Sequence, residues 1–76
     1  MYDPAKIEES VLALLGVFEF DDGRVWKKYD FDVMRVLHEK GLITTPVGKA
    51  HSLHLTEEGL LQAKEAALRL FGSVSP

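Results

Sequence analysis

Cysteine is absent from this chain of 76 residues. That excludes disulfides and thiolate-bound zinc, the two usual reinforcements of a domain too small for a deep core. A chain of this length buries only about 60% of the surface its unfolded form exposes, which leaves association with a second copy as the remaining reinforcement. The lack of cysteine also fits a reducing cytoplasm. No apolar stretch approaches the roughly 18 residues of a membrane span, and no basic segment leads into an apolar run as in a secretory leader. The expectation is a soluble cytoplasmic protein without a membrane partner.

Chemistry-bearing patterns are equally scarce. His51 and His54 stand three apart on an expected strand, which aims them at opposite faces, and His38 lies on another element. With no His-Glu-x-x-His helix either, no metal site is expected. Gly48-Lys49-Ala50 lacks the spacing of a phosphate-cradling loop, and Ser10, Ser52 and Ser73 have no nucleophile context. Asp21-Asp22 and Glu57-Glu58 sit at helix ends, where capping and solubility explain them. An acid–base pair needs a concave site, for which so small a core has little room. The sequence predicts no enzyme and no cofactor.

What is present is a clear order of elements. Residues 1–72 read as one domain and 73–76 as a short tail. Asp3 is an N-cap with Pro4 at the first helical position, where its missing N–H costs nothing. Ile7, Val11, Leu14, Leu15 and Phe18 repeat with the period of a buried helical face, flanked by Leu12, Ala13 and Val17. Asp21-Asp22-Gly23 ends this helix with a turn signal. Residues 24–29 form either a short strand or a helical turn. Trp26 there is most simply a core anchor between helices, with stacking on a nucleic-acid base as the alternative.

Asp30 caps a second helix that Gly41 ends. Val33, Met34 and Leu37 face inward, and Asp32, Arg35 and Glu39 form an outward stripe. Residues 42–45 and 52–55 read as paired strands of a hairpin across Pro46, Gly48 and Ala50. Leu53 and Leu55 share one face, Ser52 and His54 the other. Thr56 caps a last helix with Glu57 and Glu58 near the positive end of its dipole. Its apolar arc, running from Leu60 to Phe71, is wider than one core contact needs. Spare apolar surface on the first and last helices points to a homodimer built from them.

This order (helix, short strand or turn, helix, β-hairpin wing, helix) is that of a small α+β, winged-helix-like domain. The run VLALL near residue 11, the Trp26-Lys27 pair, the string LHEKGLI, then Gly48-Lys49-Ala50 and LTEEGL together resemble a family of small bacterial proteins known as a domain of unknown function. The resemblance covers nearly the whole chain. It implies a bacterial source and carries over no catalytic or binding residue. The shorter pattern from LHEKGLI to LTEEGL is also similar to many bacterial winged-helix regulators, in which the strand pair forms the wing and the next helix helps dimerise.

The chain departs from those regulators in two ways. Only about ten residues separate the first helix from Asp30, barely enough for the extra helix of a helix-turn-helix. The outward stripe of Asp32, Arg35 and Glu39 carries a net charge of −1, which suits a major groove poorly.

Charge is unevenly spread. Residues 1–23 carry −5, residues 24–54 carry +3 and residues 55–76 carry −1. The basic third either offers a positive field to phosphate or is simply part of an alternating surface. Two functions follow. One is a regulatory or accessory module that binds nucleic acid, duplex DNA included, through Arg24, Lys27, Lys28 and Lys49, mainly at the backbone. The other is a protein-interaction or homodimerisation module that has lost DNA binding.

Overall fold

The computed structural model describes residues 1–73. Helix α1 spans Pro4–Phe18, strand β1 Arg24–Trp26, helix α2 Phe31–Glu39, strand β2 Ser52–His54 and helix α3 Glu57–Phe71. Of the expected tail only Ser73 is described; residues 74–76 lie outside the described residues.

Each helix start, and the end of α2, has a local cause, whereas α1 stops at Phe18, short of the expected Asp21-Asp22-Gly23. Asp3 Oδ1 accepts the Ala5 N–H at 2.9 Å, and Asp30 Oδ2 accepts the Val33 N–H at 3.1 Å. Each satisfies one of the amides that a helix start leaves without a partner. Gly41 adopts φ +77° after α2, and the Leu42 N–H turns back to the Leu37 carbonyl at 3.0 Å. A left-handed residue of this kind is where a helix stops. Thr56 Oγ1 accepts the Gly59 N–H at 3.0 Å and donates to the Gly41 carbonyl at 2.7 Å. One hydroxyl thus joins the end of α2 to the start of α3.

Asp21, Asp22 and Gly23 all have positive φ, making a tight reversal closed by paired hydrogen bonds between Phe20 and Arg24. This turn feeds β1, so the ambiguous segment 24–29 begins as a strand. β1 pairs antiparallel with β2, with Val25 opposite Leu53. On the other edge of β2, Ile43 bridges Leu55 and the Thr44 N–H donates to the His54 carbonyl at 2.8 Å. The expected hairpin of residues 42–45 with 52–55 is therefore reduced to this short contact, and the regular ladder goes to β1. Both flanks of β2 were open to partners. The Asp-Asp-Gly reversal is tied to the β1 side, the Leu55 N–H donating to the Gly23 carbonyl at 2.7 Å, whereas Pro46 cannot donate to a ladder.

Val25, Leu53 and Leu55 point from the sheet into a core completed by Leu12, Leu15, Met34, Leu37, Leu42 and Ile43. Each such side chain contributes about 1.5–3 kcal/mol by leaving water. The arrangement is α+β and winged-helix-like, with one helix, α2, between β1 and the residue 43 bridge. Helices α1 and α3 run antiparallel, since Glu9 meets Arg69 while Gly16 meets Ala63.

The inward face of α1 differs from the expected stripe. Leu12, Ala13, Leu15 and Gly16 are buried, whereas Ile7 and Phe18 are exposed and Val11 and Leu14 only partly covered. The reason is steric. Gly16 lies so close to α3 that an added Cβ would stand 2.7 Å from the Ala63 carbonyl oxygen. Small residues set the rotation of α1, which keeps Leu12 and Leu15 inside and turns Ile7, Val17 and Phe18 outward. Trp26 is the second correction: it is 47% exposed rather than a core anchor.

Candidate nucleic-acid interface

Strand alternation decides which side chains of β1 reach solvent. Val25 is buried while Arg24 and Trp26 project from the opposite face, level with His54 and Ser52 on β2. Phe20 supports the indole from behind, its ring centroid 5.0 Å from that of Trp26 at an interplanar angle of 35°. The linker after β1 then passes Lys27, Lys28 and Tyr29 before Asp30 starts α2.

Of the four cations expected to contact phosphate, Lys27 and Lys49 are brought to the same loop. Lys27 Nζ donates to the Gly48 carbonyl at 3.1 Å, and its backbone N–H donates to His51 at 2.9 Å. Lys49 follows Gly48 in that loop and is exposed. Lys28 is exposed and lines a groove of about 280 Å³ with Leu14, Phe18, Trp26 and Tyr29. Arg24 is not brought to the loop. It stands at the far end of β1 opposite His54, some three residues and about 10 Å along the strand from Lys27. The four therefore form a line along β1, its linker and the wing loop rather than a single cluster.

The cations of the helices are arranged differently. Arg35 lies 2.8 Å from Glu39 and 3.9 Å from Asp32, so the outward stripe of α2 pairs internally as its spacing implies. Lys40 meets Glu8 at 2.6 Å and Arg69 meets Glu9 at 2.8 Å. Lys64 meets Glu19 at 3.0 Å and also donates to the Gly16 carbonyl at 2.8 Å. These contacts leave a trace in acidity. The Arg69 hydrogen bond holds Glu9 below the ordinary glutamate range, and Glu9 in turn raises Arg69. Lys64, followed by the Gly23 N–H, does the same for Glu19.

By contrast, Arg24, Lys27, Lys28 and Lys49 make no ion pair with any carboxylate among the described residues. Lys6, in the first turns of α1, is the remaining cation of that kind. A second concavity, about 480 Å³, lies between α1, α2 and α3 and includes Glu8, Glu9, Lys40 and Arg69. Its cations, Lys40 and Arg69, are already committed to Glu8 and Glu9.

The histidines are dispersed. His38 Nδ1 donates to the Ile43 carbonyl at 3.1 Å, while His51 lies just before β2 and His54 ends it. No group of three His, Asp or Glu side chains is placed to hold a metal ion among the described residues. Nor is any described helix long and apolar enough to cross a membrane.

Sequence reasoning missed the exposed Trp26 with half-buried Phe20 behind it, and the contact between α1 and α3. The second had a signal: Ala13 and Gly16 on α1, and Ala63 and Ala66 on α3, each repeat small residues at a spacing of three. That spacing puts both members on one helical face.

Together these features define a small winged-helix-like domain with a single helix where a helix-turn-helix has two, and with an unneutralised basic edge. The chain belongs to the family described as a domain of unknown function, DUF6429, which it matches over residues 3–73. It is similar to the uncharacterized protein y4hR of the bacterium Sinorhizobium fredii. The two are 45% identical over 69 residues, covering 91% of this chain and 93% of the relative. No solved structure matches it.

Proposed function

We propose that this domain is a non-catalytic module that binds nucleic acid by its backbone, with Arg24, Lys27, Lys28 and Lys49 contacting phosphates. Charge segregation carries this reading. Arg35, Lys40, Lys64 and Arg69 are neutralised within the fold, while the cations of β1, its linker and the wing loop meet no carboxylate among the described residues. Unpaired cations in a row release counterions when they meet a polyanion, which is the main source of such affinity. Helix α2 is a poor reader of base edges because its one outward arginine is held by Asp32 and Glu39. Contacts to phosphate position a protein without specifying sequence, and a general accessory role follows.

Titration with DNA across a range of salt concentrations tests the reading. Neutralising Lys28 and Lys49 together to alanine should weaken binding and lower the slope of log affinity against log salt by about 1.4–1.8. Unchanged affinity in that variant would overturn the assignment.

A second role, homodimerisation, is favoured by a separate observation. Helix α3 exposes Leu61, Leu68, Leu70 and Phe71, and α1 exposes Ile7, Val17 and Phe18. A domain with so thin a core gains most by covering such side chains with a second copy. A dimer would also repeat the basic edge, and the two roles are compatible.

A further inference from the structure

We infer that Trp26 is a stacking platform for a base of single-stranded nucleic acid, with Arg24 and Lys28 holding the flanking phosphates. This rests on the backbone-binding reading above and narrows it to a substrate class.

Four observations converge on the indole. It is half exposed on the open face of β1, and tryptophan is a side chain that folded domains usually keep mostly covered. Ser52, its partner across the ladder, is too small to cover the ring. Phe20 fixes it from behind at 5.0 Å, so its orientation is set before any ligand arrives. Unpaired cations lie on both sides in sequence, Arg24 two residues before and Lys28 two after. An aromatic face flanked by free positive charge is what a single strand needs, because stacking tolerates any base and the cations follow the backbone.

The adjoining groove agrees with this. At about 280 Å³ it falls below the roughly 300–1,000 Å³ of small-molecule pockets. Phe18 and Tyr29 give it aromatic walls and Lys28 a positive rim. It suits a single inserted ring with a phosphate beside it. Duplex DNA is the poorer fit, since its bases present no free faces. Residues 19–30, where a helix-turn-helix would place its extra helix, are spent on the turn, β1 and the linker.

The chain has one tryptophan, so indole emission excited beyond the absorption of tyrosine reports this site alone. The full-length protein is titrated with labelled oligothymidylate, with duplex of equal length and with inorganic polyphosphate, reading anisotropy and indole emission together. The inference expects emission to be quenched in step with oligothymidylate binding, and the single strand to bind more tightly than the duplex. Polyphosphate should leave emission unchanged. Trp26→Ala should lower single-strand affinity about 5- to 150-fold, the equivalent of one lost stacking contact. Trp26→Phe keeps an aromatic face and should retain affinity within a few-fold.

Salt-sensitive binding without quenching, or a duplex bound as tightly as the single strand, would overturn the stacking role and leave the backbone-binding reading standing. No binding of either nucleic acid at low salt would overturn both. Quenching by a co-purifying protein in place of nucleic acid would also overturn it and assign the aromatic face to that protein.

Discussion

Glu19 holds more together than its position just after α1 suggests. One carboxylate oxygen lies 3.0 Å from Lys64 on α3 and the other accepts the Gly23 N–H at 2.9 Å. The Lys64 contact is the larger cause, and the Gly23 contact the second, of its lowered pKa. Glu9 is lowered in the same way by Arg69. A carboxylate favoured in its charged form by folding contributes stability above the ordinary glutamate value of 4.5, and that contribution is lost as pH falls through the lowered folded value. The protein should therefore be easier to unfold in urea at about pH 3 than at about pH 6. Glu19→Gln should shrink that difference, because glutamine has no charge to lose. An unchanged difference in the variant would show that Glu19 is not linked to folding.

At the scale of elements, small residues fix how helices meet. Gly16 of α1 faces Ala63 of α3, and a methyl group at Gly16 would collide with main-chain atoms that cannot swing aside. Gly16→Ala is expected to lose about 1–3 kcal/mol of stability through overpacking, although alanine is the better helix former by up to about 1 kcal/mol. A lowered midpoint in chemical denaturation checks this; a raised one would mean the helices have room to part. Gly59 has the same role where α3 starts against the backbone of Leu42. Helix starts and the stop of α2, unlike element rotations, were legible beforehand. Asp3, Asp30, Gly41 and Thr56 each act within a few residues of themselves, and each does what its type and spacing imply. The inward face of α1 was misread because residues 11–18 are apolar on nearly every side. No stripe in such a helix is privileged until a partner helix presents its own small residues.

For the whole molecule, what the core leaves uncovered matters most. Leu68 is 73% exposed and Phe71 51% exposed, which is unusual company on the surface of so small a chain. If a second copy covers them, sedimentation should give twice the chain mass at micromolar concentration. Leu68→Glu with Phe71→Glu should return the monomer, since burying unpaired carboxylates is costly. A monomer in the unmodified protein would dismiss the dimer and leave those side chains to another partner. The basic edge on β1, its linker and the wing loop is also a property of the whole. The excess positive charge of residues 24–54 can be counted from the chain. Which cations remain available depends on partners brought from elsewhere: Lys40 is taken by Glu8 of α1, and Lys64 by Glu19 beyond its end.

The amino-acid sequence by itself determined the three helices, their N-caps and the stop of α2, the alternation of Leu53 and Leu55 against His54, and the pairing of Arg35 within α2. All are settled by contacts between residues close in the chain, where spacing alone decides geometry. Only the tertiary structure decided that β2 takes β1 as its regular partner, that α1 turns Gly16 rather than Phe18 inward, and that Trp26 stands open beside Arg24. Those outcomes depend on choices between partners of nearly equal local merit. Such choices are made when distant segments pack, and the smallest side chains then admit the closest approach.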